Sequence, residues 1–105
     1  MDVNPEFEDV AAELAPRGVV VGNVFGSRAL KSGSKAFACL LKGGTVAFRL
    51  GAGTPDHTAA LALEGAHLFD PSERDQPFKD WVEVPPAHEE SWMRFAVAAL
   101  DHLDA

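Results

Sequence analysis

Apolar side chains recur at helical spacing near both ends of this chain of 105 residues. Near the N-terminus, Pro5 precedes a stripe with intervals of three and four residues, made of Phe7, Val10, Ala11 and Leu14. A longer stripe follows Pro85 and Pro86, and its members are Trp92, Phe95, Ala96, Ala99, Leu100 and Leu103. Proline suits the first turn of a helix, where the amide that it lacks has no partner. We therefore predict a helix from Pro5 to Pro16 and a last helix after Pro86.

Residues 19–50 instead form three β-type runs, separated by glycine turns at 32–34 and 42–44. The first run, Val19 to Lys31, begins with β-branched residues, and we count it as one strand that bends at its glycines. Short turns between runs of this kind predict an antiparallel meander.

A second helix and two short strands complete the pattern. Thr54 suits the N-cap of a helix and Pro55 its first position, while Gly65 suits the left-handed position that ends it. Residues 66–69 and 79–84 read as strands on either side of a polar loop. The order is α-β-β-β-α-β-β-α. Strands that cluster in this way imply an α+β fold, with the helices covering one face of an antiparallel sheet.

The alternation of side chains predicts one buried and one wet face of this sheet. In residues 45–50 the large apolar side chains occupy every second position. Val82 and Val84 likewise share a face, which places Trp81 on the opposite one. We expect Trp81 to be exposed there, and an exposed tryptophan often marks a contact surface.

The length of the chain and its single cysteine narrow the class of protein. A chain of this size fits one domain, so we interpret residues 1–105 as a single domain. Cys39 has no second cysteine to pair with, and the acidic N-terminus lacks the apolar core of a secretory signal. No apolar run approaches the roughly 20 residues of a membrane helix. We expect a cytoplasmic protein that does not enter a membrane.

Charge is distributed unevenly along the chain, whose net charge is −7. The stretch from Arg17 to Leu50 holds six bases and no acid, whereas the rest of the chain holds three bases and all sixteen acids. An overall negative charge disfavours non-specific nucleic-acid binding, which depends on Lys and Arg at phosphates. The segregation nevertheless predicts a molecule with one basic side, although most charge runs are solvated surface.

We find no residues with the spacing of an active site or a metal site. Gly51 and Gly53 stand between a strand and a helix, but Asp56 replaces the third glycine of a dinucleotide-binding pattern. The four histidines lack metal-binding spacing, and Cys39 in an apolar strand predicts an inert buried thiol. We therefore predict no catalytic residue, no metal and no cofactor.

Several short motifs, in order, resemble those of a known family. They are Val24-Phe25-Gly26, the strand Gly33 to Ala38, Phe69-Asp70-Pro71, and the stretch Gln76 to Val82. Together they resemble the TfoX (Sxy) N-terminal domain family and, more distantly, the MmcQ/YjbR group. The resemblance implies a two-layer α-β(3)-α-β(2)-α fold like that of secretion-chaperone-type domains. It implies no catalytic residues.

These observations favour a stand-alone binding or regulatory module that is not an enzyme and that acts through contact with a protein partner. A second copy of the chain is a further candidate partner. The surface that we predict for this contact is partly basic and consists of Phe25, Arg28, Lys35, Arg49, Lys79 and Trp81. Two alternatives are a weak nucleic-acid-associated regulator that uses the same basic face, and a small-ligand binder or enzyme that uses a cleft between helix and sheet.

Overall fold

Helices flank and interrupt a set of strands in the computed structural model, which describes residues 4–24, 26–70 and 78–104. The helices are α1 (Pro5–Leu14), α2 (Pro55–Leu61) and α3 (Trp92–Asp104). The strands are β1 (Val19–Val24), β2 (Ser27–Ser32), β3 (Lys35–Leu40), β4 (Val46–Arg49), β5 (His67–Phe69) and β6 (Phe78–Val84). Among these described residues, no helix has both the length and the apolar character needed to cross a membrane.

The strands form one antiparallel sheet in the order β1-β2-β3-β4-β6-β5. The interpretation of Val19 to Lys31 as one bent strand is wrong, because β1 and β2 are the two arms of a hairpin that pairs Val19 with Ser32. Gly26 in the turn has a φ of 72°, which glycine adopts without steric cost. Four strands rather than three therefore precede α2, within the predicted α+β class.

The three helices pack on the same face of the sheet, which we call the helix face. Phe7 of α1, Ala60 of α2 and Trp92 of α3 belong to one buried cluster with side chains of the strands. A bulge in β3 adds to this core. Ala36 pairs with Lys31 and Ala38 with Leu30, which leaves Phe37 without a cross-strand partner. Phe37 and Ala38 both lie in the helix-face core, although they are consecutive.

Local signals at the starts of α1 and α2 are confirmed. The Asn4 side chain caps α1 by accepting hydrogen bonds from the amides of Glu6 and Phe7, at 3.0 and 3.2 Å. Thr54 caps α2, since its hydroxyl accepts a hydrogen bond from the amide of His57 at 3.2 Å. Such caps satisfy amides that have no partner within the helix.

Candidate functional site

Arg28, one of the predicted contact residues, lies on the helix face and is engaged within the molecule. Its neighbour on that face of β2 is Leu30, which is fully buried in the core. The Arg28 guanidinium donates two hydrogen bonds to the Glu8 carboxylate of α1, from Nε at 2.8 Å and from a terminal nitrogen at 2.7 Å. These hydrogen bonds lower the pKa of Glu8 and raise that of Arg28. Arg28 thus joins α1 to the sheet.

Trp81 lies on the opposite face of the sheet, which we call the far face, and the prediction that it is exposed is wrong. Only 9% of Trp81 is accessible. The far face carries a second, smaller apolar cluster made of Cys39, Ala47, Phe69 and Trp81. The rings of Phe69 and Trp81 lie 6.0 Å apart. Small side chains on β3 and β4 leave room for these aromatic rings, so the far face is not uniformly wet.

The remaining predicted contact residues do not complete a single surface. Arg49 lies directly opposite Trp81 across the β4–β6 pair and is half-buried, while Lys35 and Lys79 are exposed. Phe25 lies outside the described residues. Because Arg28 is on one face of the sheet and Arg49 on the other, the six residues do not form one continuous basic face.

The end of β1 reaches Cys39 of β3 on the far face. β1 lies two strands away from β3 in the sheet, yet the thiol of Cys39 donates a hydrogen bond to the carbonyl oxygen of Val24 at 3.6 Å. Cys39 is fully buried, and this burial raises the pKa of its thiol to about 11. A thiol with such a pKa forms little thiolate at neutral pH, which agrees with the prediction of an unreactive cysteine.

The outer side of β1, here called the β1 edge, is a surface that the sequence reasoning missed. Three large apolar side chains are exposed in the described residues, and two of them, Val20 at 56% and Val21 at 38%, are neighbours on β1. β1 forms one end of the sheet, so the outward amides and carbonyls of this strand lack a strand partner. The available signal was the run Val19-Val20-Val21, but it does not reveal which strand lies at an end.

The strand β1 itself also lacks the features that normally keep edge strands apart. Natural edges carry lysine, proline, bulges or very short strands. The other end of this sheet, β5, has only three residues and an irregular register. β1 has six residues, pairs without a register shift, and contains neither a charged residue nor a proline. Its chemistry is therefore suited to pairing with another extended strand.

The side chains of His57 and His67 make contacts within the fold. His57 is buried at the start of α2, with Nε2 2.7 Å from the carbonyl oxygen of Lys79. His67 of β5 lies with Nε2 3.7 Å from the Glu83 carboxylate. In the part of the chain that the structure describes, no group of three or more His, Cys, Asp or Glu side chains is arranged to hold a metal ion.

Comparisons with known proteins give no relative for this chain. No family model, no curated protein and no solved structure matches it. The resemblance to the TfoX N-terminal domain family therefore stays a prediction from the motifs.

Proposed function

We propose that this chain is a protein-binding module that is not an enzyme and that contacts its partner by strand addition at the β1 edge. The observation that carries the proposal is the uncharged six-residue edge strand with two exposed valines, Val20 on one face and Val21 on the other. An extended segment added to such an edge gains main-chain hydrogen bonds, and its alternate side chains gain contacts on each face.

Two further observations support a binding role. Exposed apolar side chains on an edge strand that nothing covers favour aggregation, and proteins usually avoid them unless a partner covers the edge. The resemblance to the TfoX N-terminal domain family points the same way, because that family brings no catalytic residues to transfer. Contact through the β1 edge replaces the six-residue basic surface as the proposed binding site.

The experiment compares partner capture by two variants that add the same charge at different places. Val20→Lys places an ammonium on the β1 edge, whereas Ala62→Lys places one at the exposed end of α2, which packs beside β6. We expect Val20→Lys to lose at least tenfold in capture of the partners that wild type retrieves from host extract, and Ala62→Lys to retain them. Hydrogen exchange on the captured complex should show protection of the β1 amides.

The same comparison can refute the proposal. Equal capture by wild type and Val20→Lys, at unchanged melting temperature, would exclude the β1 edge as the contact surface. Protection confined to other strands would exclude strand addition.

A further inference from the structure

The two faces of β1 carry different side chains. Residues alternate along a strand, so Val20, Gly22 and Val24 lie on the far face, while Val19, Val21 and Asn23 lie on the helix face. The exposed Val20 therefore has a residue without a side chain two positions away on its own face.

Gly22 is covered by the side chain of a neighbouring strand. A Cβ built at Gly22 would lie 2.7 Å from Cδ of Lys31, so the aliphatic stem of Lys31 crosses the glycine on the far face. Lys31 belongs to β2, the strand beside β1. On the far face, Gly22 and this stem form a shallow apolar depression in the β1 edge, next to the projecting side chain of Val20.

We propose that the strand added to the β1 edge is β1 of a second copy of this chain, a refinement that rests on the proposed function. The two strands pair antiparallel about a twofold axis at Val21. In this register Val20 of each copy lies opposite Gly22 of the other. Directly opposite residues in an antiparallel pair share a face, with Cβ positions about 4.5–5.5 Å apart. The projecting Val20 of each copy therefore packs into the shallow apolar depression at Gly22 and Lys31 of the other copy, which gives two symmetric contacts.

The same register gives Val21 a partner of its own kind. Val21 is 38% exposed on the helix face and lies opposite Val21 of the second copy, a pair of β-branched side chains that stabilises a sheet. Val19 lies opposite Asn23. The register brings Val20, Val21 and Gly22 together, which are the two exposed valines of β1 and its one residue without a side chain.

Charge is compatible with this pairing near the strand. β1 itself is uncharged, and Glu8 offsets the charge of Arg28, which pairs across from Asn23. Lys31 of each copy and the net charge of −7 oppose association over longer distances. Salt screens such exposed charges, so the dimer should become tighter at 0.5 M than at 0.05 M salt.

Cross-linking tests the register. In the proposed pairing the Cα atoms of Val21 and Val21 of the second copy are about 4.5–5.5 Å apart, within disulfide range. The two Val20 positions are diagonal neighbours at about 7–8 Å, outside that range. We expect Val21→Cys to form a covalent dimer under mild oxidation, and Val20→Cys to form far less. The wild-type chain, whose one cysteine is the buried Cys39, is the control for cross-linking through that thiol.

Mass measurement by light scattering tests the interface without new thiols. Wild type should elute at twice the chain mass of 11.2 kDa. Val20→Lys should be monomeric, because two new ammonium groups join Lys31 of both copies at the interface. Val20→Glu should keep more dimer, because its carboxylate offsets the charge of these lysines. Ala62→Lys should stay dimeric.

The outcomes separate this inference from the proposed function. A wild-type monomer up to about 200 μM, which covers dimers with a Kd of tens of micromolar, would overturn the dimer. The strand-addition function would survive that result if Val20→Lys still lost partner capture. A dimer unaffected by Val20→Lys, or cross-linked through Val20→Cys rather than Val21→Cys, would overturn the interface or its register.

Discussion

Among the described carboxylates, Glu83 has a raised pKa, and burial is the largest cause. It lies on β6 between Ala47 of β4 and His67 of β5, and 18% of its side chain is exposed. Removal from water is the main cause of the raised pKa, and the nearby His67 partly offsets it. The far face therefore contains one acid that is more easily protonated when the chain is folded.

Replacing Glu83 by glutamine should stabilise the fold more at pH 7 than at pH 4. A raised pKa means that the folded state holds the proton more tightly than the unfolded state. Ionisation of Glu83 therefore lowers the free energy of unfolding, and this loss develops as the pH rises from the ordinary value of 4.5 through the raised pKa. We expect Glu83→Gln to raise the melting temperature by a few degrees at pH 7, with a smaller gain at pH 4.

Thermal unfolding at the two pH values measures this difference. Glu13→Gln, at an exposed position of α1, is the matched control and should show no comparable gain at pH 7. A gain for Glu83→Gln that is the same at both pH values, or larger at pH 4, would contradict the assignment.

The turn between β4 and α2 also contacts β6 and α3. Gly51 and Gly53 both have a φ of 84°, in the left-handed region that favours glycine. The Asp80 side chain of β6 accepts a hydrogen bond from the amide of Ala52 at 2.9 Å. A Cβ at Gly51 would lie 2.5 Å from the imidazole of His102 on α3, whereas nothing lies within 4 Å of one at Gly53. This arrangement agrees with a tight turn rather than a phosphate-binding loop.

Alanine at the two glycines should therefore have unequal effects. Gly53→Ala should cost about 1–2 kcal/mol for its left-handed backbone alone. Gly51→Ala should cost about 0.5–1.5 kcal/mol more, because the imidazole of His102 must leave its rotamer. In a His102→Ala background the two costs should become equal. Urea unfolding of the four glycine variants measures this cycle. If Gly51→Ala and Gly53→Ala cost the same in the wild-type background as well as in the His102→Ala background, the contact between residue 51 and His102 has no energetic consequence.

At the scale of the whole molecule, the basic and acidic segments are interleaved. Arg17 lies 2.8 Å from Asp101 of α3, and Arg28 lies 2.7 Å from Glu8 of α1. Both arginines belong to the stretch that has no acid of its own, and both acids belong to helices packed on the sheet. The fold thus brings acids to the basic stretch, so that its charge does not form one large positive face.

This distribution predicts that the chain does not bind duplex DNA. Phosphate binding needs several bases that can reach the backbone together, and it weakens steeply with salt. In a fluorescence anisotropy titration at low salt, we expect no binding of a labelled duplex at tens of micromolar protein. Binding that decreases with salt and disappears in the Arg28→Glu, Arg49→Glu double variant would contradict this and restore the basic surface.

The features that the sequence alone determined are local ones. The starts of α1 and α2 were predictable from Pro5 and from Thr54-Pro55, because capping and proline geometry depend on residues within one helical turn. Alternation correctly put Trp81 on the face opposite Val82, and the grouping of strands correctly indicated the α+β class. The buried thiol of Cys39 also followed from its apolar strand.

Tertiary structure decided everything that depends on residues distant in sequence. Alternation assigns Trp81 to a face but does not say that Phe69 packs against it, and no local pattern pairs Arg28 with Glu8 across 20 residues. The position of β1 at one end of the sheet follows from the pairing of all six strands. The β1 edge therefore becomes visible only in the folded chain, because an edge is defined by the partner that a strand lacks.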